Sequence, residues 1–422
     1  MNPSHSATPH RELNNSISRF LLPMIFLFGI VAVMLQLMPI YFQSIGVSES
    51  GVQLLFLIPP LITIGANQFW GYLADLHMNT RMAIIIMSVG SIFVSLAFPF
   101  FQSYLALCVL MVVMTFFSNA RVPMINTLIL SSTNGEARYG VVRTIGSAAF
   151  VVIGFVASML VDRFPDGGLG GIFALLAICN LGIAISMLPI RDFPVSSART
   201  NRQSFWVEFS AVQKKLMERK IVRSFFMFIF LSQVFIVPSL LGQIMYIKSP
   251  EFVAGSTTDS SVALGIGAAA EIVVFLLFPK IIKHVRLMPL MLIAFIFNPL
   301  RWVLVYATTA VEVIWVTNLF HALTYGLMYM CSVIFVNREL PLELRNSAQT
   351  LLGLVFAGIS IIIGQLISAV YLLYFDVRSW FLVVAFLSFL PFPFWLRMAR
   401  EYQKEHKVHG FWVTKPVPDY KE

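Results

Sequence analysis

The stretch SVALGIGAAAEIVVFLLFPK, residues 261–280, decides the fold. Between Ser261 and Lys280 its one ionisable side chain is Glu271. At 1.5 Å per residue the run makes a helix of about 30 Å, the thickness of a bilayer's hydrocarbon core. Backbone exposed to lipid must satisfy its own hydrogen bonds, so the run is expected to be helical. A carboxylate there is costly, faces a cavity or a partner, and reads by default as functional.

Working outward, runs of this kind recur through the chain and predict twelve spans, at about 20–45, 52–74, 82–101, 104–130, 139–161, 171–190, 223–247, 261–280, 287–308, 312–336, 346–374 and 378–397. The fold class is an all-α membrane protein of twelve transmembrane helices. Composition agrees: 58% of residues are hydrophobic and 12% charged, against roughly 25% charged in a soluble domain. Cys108, Cys179 and Cys331 lie inside apolar runs, as small buried hydrophobes do, with no disulfide or metal spacing. The polar N-terminal tail leads into a run long enough to stay as a span, so no cleavable signal peptide is expected.

The longest connection, 191–222, splits the spans six and six. The expected organisation is an N-terminal six-helix bundle over 1–190, a cytoplasmic linker over 191–222, a C-terminal six-helix bundle over 223–400 and a cytoplasmic tail over 401–422. Around Phe205, Phe209, Val212 and Leu216 the linker is amphipathic at helical spacing and fits a membrane-surface helix. With both termini on one side, that side receives nearly all the Lys and Arg between spans, and the other receives only Arg163, Lys248 and Arg378. The bias places both termini in the cytoplasm of a cell membrane, a bacterial inner membrane in the first instance. It also accounts for the net charge of +9 without nucleic acid.

There is no phosphate-binding loop, metal spacing or nucleophile elbow, so neither an enzyme nor a cofactor is expected. The chemistry lies in polar groups within spans. Besides Glu271 these are Arg121, Arg143, Arg301 and His321, with amides such as Gln36, Gln233, Gln243, Asn298, Asn318 and Gln365. Gln36 and Gln233 hold similar places in the first helix of each half and are cavity candidates; the other amides fit interhelical hydrogen bonds. Trp302 and Trp380, near span ends, fit interface anchors. Arg121, Arg143 and Arg301 against Glu271 leave a net of +2 within the spans, which favours an anionic substrate.

The second connection reads Gly71-Tyr-Leu-Ala-Asp75-Leu-His-Met-Asn-Thr-Arg81. It resembles the cytoplasmic signature of the major facilitator superfamily between helices two and three, with Gly71 for a tight turn, Asp75 for a helix N-terminus, and Arg81. Met78, Leu76 and Asn79 depart from the usual pattern. A degenerate copy, Pro279-Lys280 to Arg286, lies between helices eight and nine, which suggests two related halves. The segments Tyr139-Gly140-Val-Val-Arg143, Leu300-Arg301-Trp302 and Leu319-Phe320-His321 to Gly326, with Glu271, resemble the proton-symporter group that contains lactose permease and phenylpropionate permease. The resemblance implies that Glu271, Arg301 and His321 serve proton coupling. It implies substrate contacts for Arg143 and Phe150, with Asn126 standing where the sugar permease has an acidic residue. A proton-carrying Glu one turn after the His is replaced by Thr324. Arg121 has no counterpart and fits either substrate contact or helix packing.

The expected function is a secondary active transporter, a proton-coupled symporter taking up a small organic anion such as an aromatic carboxylate. Two bundles would rock around a central site. The expected partners are the substrate, protons and the lipid bilayer, and the expected state is a monomer. Sugar or nucleoside symport, proton-driven efflux of hydrophobic compounds, and a non-transporting sensor are the alternatives. Topology is directly testable. Cysteine labels in 196–203 are expected to react only from the cytoplasm and labels in 254–258 only from outside; reaction of both from one side overturns the map.

Overall fold

In the computed structural model, residues 16–132, 135–191 and 216–406 are described. The expected linker helix lies, Leu216 apart, outside them. Twelve helices are long and apolar enough to span a membrane. They are α1 Ser18–Ser44, α2 Glu49–Ala74, α3 Thr80–Phe100, α4 Tyr104–Leu130, α5 Tyr139–Arg163, α6 Gly168–Met187, α7 Lys220–Lys248, α8 Thr257–His284, α9 Leu287–Ala307, α10 Val311–Glu339, α11 Ala348–Tyr371 and α12 Val377–Glu405. All twelve coincide with the runs read from sequence. The largest difference is α12, which continues to Glu405 as a polar last turn, with Glu401 and Lys404 paired at 3.1 Å.

Local chemistry sets the ends. Ser103 caps α4 by accepting from the Ala106 N–H, and Asp376 caps α12 by accepting from the Ser379 N–H at 2.9 Å. Ser256 and Asp259 form a capping box at the start of α8, satisfying two of the N–H groups that a helix leaves without partners. Gly46, at φ +90°, turns the chain after α1 where a side chain would be strained. Three spans carry a π-helical turn: Val33–Leu37 in α1, Ala322–Leu327 in α10 and Val355–Ile359 in α11. Such turns occur frequently at functional sites.

The chain packs as two compact units. The first takes Met1–Val31, Ile62–Phe150 and Gly170–Ala198. In it Arg81 donates to the carbonyls of Leu188 and Ile190, and Arg19 to that of Pro189, so two cations cover the C-terminal end of α6. Gly71 lies inside the helix, with open space where a Cβ would go, so the expected turn at Gly71 does not exist; the helix runs on to Leu76. The side chain of Asp75 is outside the described set.

The second unit takes Ala32–Leu61, Val151–Leu169 and Arg199–Glu422. Its core gathers Phe225, Phe228, Met291, Cys331, Phe335 and Trp395. Gly364 lets α11 lie directly on the backbone of α7, where a Cβ would overlap the Val234 carbonyl. Trp302 and Trp380 are also here. Both are fully buried, so neither is the interface anchor expected from its position. Trp302 donates to Asn298 Oδ1 at 3.1 Å and stacks on Phe381; its polar tip is satisfied by a span amide, not by headgroups.

The same unit holds the later half of α1, the start of α2 and the end of α5. Ser50 donates to the Ala369 carbonyl at 2.8 Å, and Gln53 to that of Pro238 at 3.1 Å. Ser158 of α5 and Ser261 of α8 share a short hydrogen bond. One turn on, Asp162 receives the N–H groups of Thr257 and Thr258 at 2.9 and 2.7 Å and the Thr258 hydroxyl at 2.6 Å. The carboxylate of α5 thus caps α8, a favourable place for negative charge. A cavity of ≈ 600 Å³ beside it is lined by Gln43, Ser44, Glu49, Asp162, Lys248 and Thr257. It lies about 21 Å along α8 from Glu271, too far to share its chemistry. Asp162→Ala leaves two helix N–H groups without their acceptor and is expected to cost about 1 kcal/mol. A lower midpoint of heat denaturation in detergent checks this; an unchanged midpoint refutes it.

Candidate polar site within the spans

Glu271, Arg301 and His321, read from sequence on three different helices, meet in the second unit. Glycines stand at the contact. A Cβ at Gly326 of α10 would lie 3.3 Å from Glu271 Cγ, and one at Gly267 of α8 would lie 3.4 Å from His321 Cβ. Each helix therefore presents a glycine to the other's functional side chain.

Arg301 organises the group. It is 1% exposed, so its guanidinium depends on protein acceptors. Nη1 donates to His321 Nδ1 at 3.0 Å. Nη2 donates to Asn318 Oδ1 at 2.8 Å and to Gln243 Oε1 at 3.3 Å. Nε has no hydrogen-bond partner. The guanidinium carbon lies 4.6 Å from the Trp302 ring centroid, a cation–π contact.

This arrangement fixes the imidazole. A guanidinium has only donors, so His321 Nδ1 must accept and the ring proton must sit on Nε2. Nε2 lies 3.1 Å from Glu271 Oε1. The distance is that of an ion pair, but the angle is not that of a hydrogen bond, and Oε1 has no other partner. His321 thus stands between the two, accepting from Arg301 through Nδ1 and bringing Nε2 within 3.1 Å of Glu271 Oε1. Tyr325 stacks on the imidazole at 5.4 Å with 5° between planes. Tyr325, four residues on, lies over the ring, and Thr324, three residues on, turns its hydroxyl back to the His321 carbonyl at 3.3 Å.

Gln36 and Gln233 are in the same unit, 1% and 2% exposed. Gln36 sits in the π turn of α1 against Gly154, and neither of its amide atoms has a partner; Gln233 Nε2 has none either. Both are polar groups available to a ligand or to water.

The remaining candidates are in the first unit. Arg143 is exposed, with its guanidinium 4.7 Å from the Phe28 ring centroid. Gly146 makes room for that ring: a Cβ there would lie 2.7 Å from it. Phe28 gave no signal in the sequence beyond the glycine one turn after Arg143. Phe150 and Asn126 are half-buried, and Asn126 Oδ1 is unpartnered. Arg121 differs. It is fully buried and donates to the Ser118 carbonyl at 3.1 Å, Ser88 Oγ at 3.2 Å and Asn180 Oδ1 at 2.5 Å. It ties α3, α4 and α6 together, which is the packing alternative of the two the sequence left open.

The model of the MFS_1 like family matches residues 18–383. This chain belongs to that family. It is a transporter of the major facilitator type and a multi-pass membrane protein. Among relatives of the MFS_1 like chain, it is 19% identical over 370 residues to the uncharacterized transporter YwbF of Bacillus subtilis, covering 87% of this chain and 89% of that one. It is 21% identical over 325 residues to the maltose permease of Geobacillus stearothermophilus, covering 76% and 79%. Among solved structures it is similar to the nucleoside transporter NupG, at TM-score 0.75 and 16% identity, over 90% of this chain and 98% of that one. That likeness confirms the twelve-helix major facilitator fold.

Proposed function

We propose that this transporter is a proton-coupled symporter of a small organic anion, with Glu271 as the proton carrier. The contact that carries the reading runs from Arg301 through His321 to Glu271. Of the three, the guanidinium stays charged and the imidazole is held neutral by it, so Glu271 is the group left to gain and lose a proton. A substrate or a conformational change that moves Arg301 relative to Glu271 would load or release that proton.

Arg143 is the substrate anchor in this reading. Arg121 is spent on Ser118, Ser88 and Asn180, and Arg301 on the proton group, so neither contributes to the anion preference inferred from counting charges. No described side chain accepts a hydrogen bond from Arg143, whose planar fork suits a carboxylate. The moving bodies are residues 1–190 and 223–400, joined by 191–222, in a monomer with both termini in the cytoplasm of the bacterial inner membrane. A second reading, a neutral sugar or nucleoside as cargo, is favoured by the likeness to a maltose permease and to a nucleoside transporter.

Labelled acids, sugars and nucleosides offered to proteoliposomes, with and without an imposed pH gradient, separate these readings. Glu271→Gln is expected to abolish gradient-driven accumulation while exchange persists; accumulation at the wild-type rate makes Glu271 structural. Arg143→Lys keeps the charge, loses the bidentate fork and is expected to weaken binding, and Arg143→Ala to weaken it further. Replacing the substrate carboxylate by an amide is expected to cost about 2 kcal/mol if the pair is desolvated. A neutral sugar or nucleoside bound as tightly as every acid tested overturns the anion assignment and leaves the proton mechanism standing.

A further inference from the structure

Arg301 needs a reason to stay on His321. Glu271 is the carboxylate beside it, and an unrestrained guanidinium would turn to pair with it directly. What opposes that turn is visible on Nη2, which is held by Asn318 at 2.8 Å and Gln243 at 3.3 Å. Both amides are buried, at 1% and 0% exposure. Asn318 cannot flip without loss, because its own Nδ2 donates to the Ile314 carbonyl at 2.8 Å. Gln243 is different. Its Nε2 has no hydrogen-bond partner, so among the described residues its amide is held through Arg301 alone. It is also the contact that brings α7 to the group, since Arg301 stands on α9 and Asn318 and His321 on α10.

We propose that Gln243, with Asn318, is a positioning residue that holds Arg301 away from Glu271 and so sets how readily Glu271 takes a proton. This rests on the reading of Glu271 as the proton carrier. The charged and titratable groups facing Glu271 among the described residues are Arg301 from α9 and His321 from α10, with Tyr325 stacked behind the imidazole. α7 presents the neutral Gln243. Removing its carbonyl frees the guanidinium to approach Glu271 and favours the ionised carboxylate. Putting a second carboxylate in its place draws the guanidinium off and sets a like charge nearby, which favours the protonated form.

The two substitutions therefore have opposite signs, and the proton itself is the probe. In purified full-length protein, the infrared carbonyl band of protonated carboxyls is followed against pH, and the Glu271 component is the part missing in Glu271→Gln. Gln243→Leu is expected to move the midpoint of that component down by about half a pH unit or more, and Gln243→Glu to move it up by a similar amount. Asn318→Ala is expected to move it down, and serves if Gln243→Leu does not fold. Midpoints that equal the wild type, or that move in the same direction for Gln243→Leu and Gln243→Glu, overturn the positioning role. Absence of any component lost in Glu271→Gln overturns the proton-carrier reading instead, so the two failures are distinct.

Discussion

A guanidinium removed from water must be given acceptors by its neighbours, and around Arg301 that demand shapes everything within reach. It cannot shed its charge to escape burial. Its donors therefore dictate which nitrogen of His321 carries the proton and which way the Asn318 amide faces. The indole of Trp302, which might have anchored the span at a headgroup layer, is drawn inward beneath the cation. Glycines at positions 267 and 326 face His321 and Glu271 where α8 and α10 bring the imidazole within 3.1 Å of the carboxylate. Tyr325, four residues on along α10, stacks against the ring.

Arg121 shows what the same burial does without a titratable neighbour. Its acceptors are two side-chain oxygens and a carbonyl, all neutral. None can change charge in the physiological range, so the arrangement has one stable form and works as a strut between three helices. Arg301 differs because a group able to take up a proton stands one imidazole away. From sequence the two arginines look alike, each a lone cation in an apolar run. The difference lies in what other helices bring to them, and one chain order does not display that.

This marks the limit of what was legible. The twelve spans were, since an apolar run of membrane length has few other physical outcomes. Glu271, Arg301 and His321 were, since charge stands out against such runs, and the structure does bring them together. Gln243, Asn318 and Asn180 were not separable from other span amides, because an amide's role depends on which of its ends meets a charge. Phe28 was hidden among 39 phenylalanines. Gly71 misled because glycine in a signature suggests a turn, whereas here the helix passes through it unbroken.

The π turns also bear on ancestry. A π turn accommodates one residue more than the regular helix would, so Val33–Leu37, Ala322–Leu327 and Val355–Ile359 each have the form of a single inserted residue retained within a span. Excising that residue would let the turn close as regular helix, with the residues beyond it keeping their faces. A relative without the extra residue would therefore present the same faces of the helix over nearly the same hydrophobic length. An alignment that forbids gaps within spans would set such a relative one residue out of register beyond each turn.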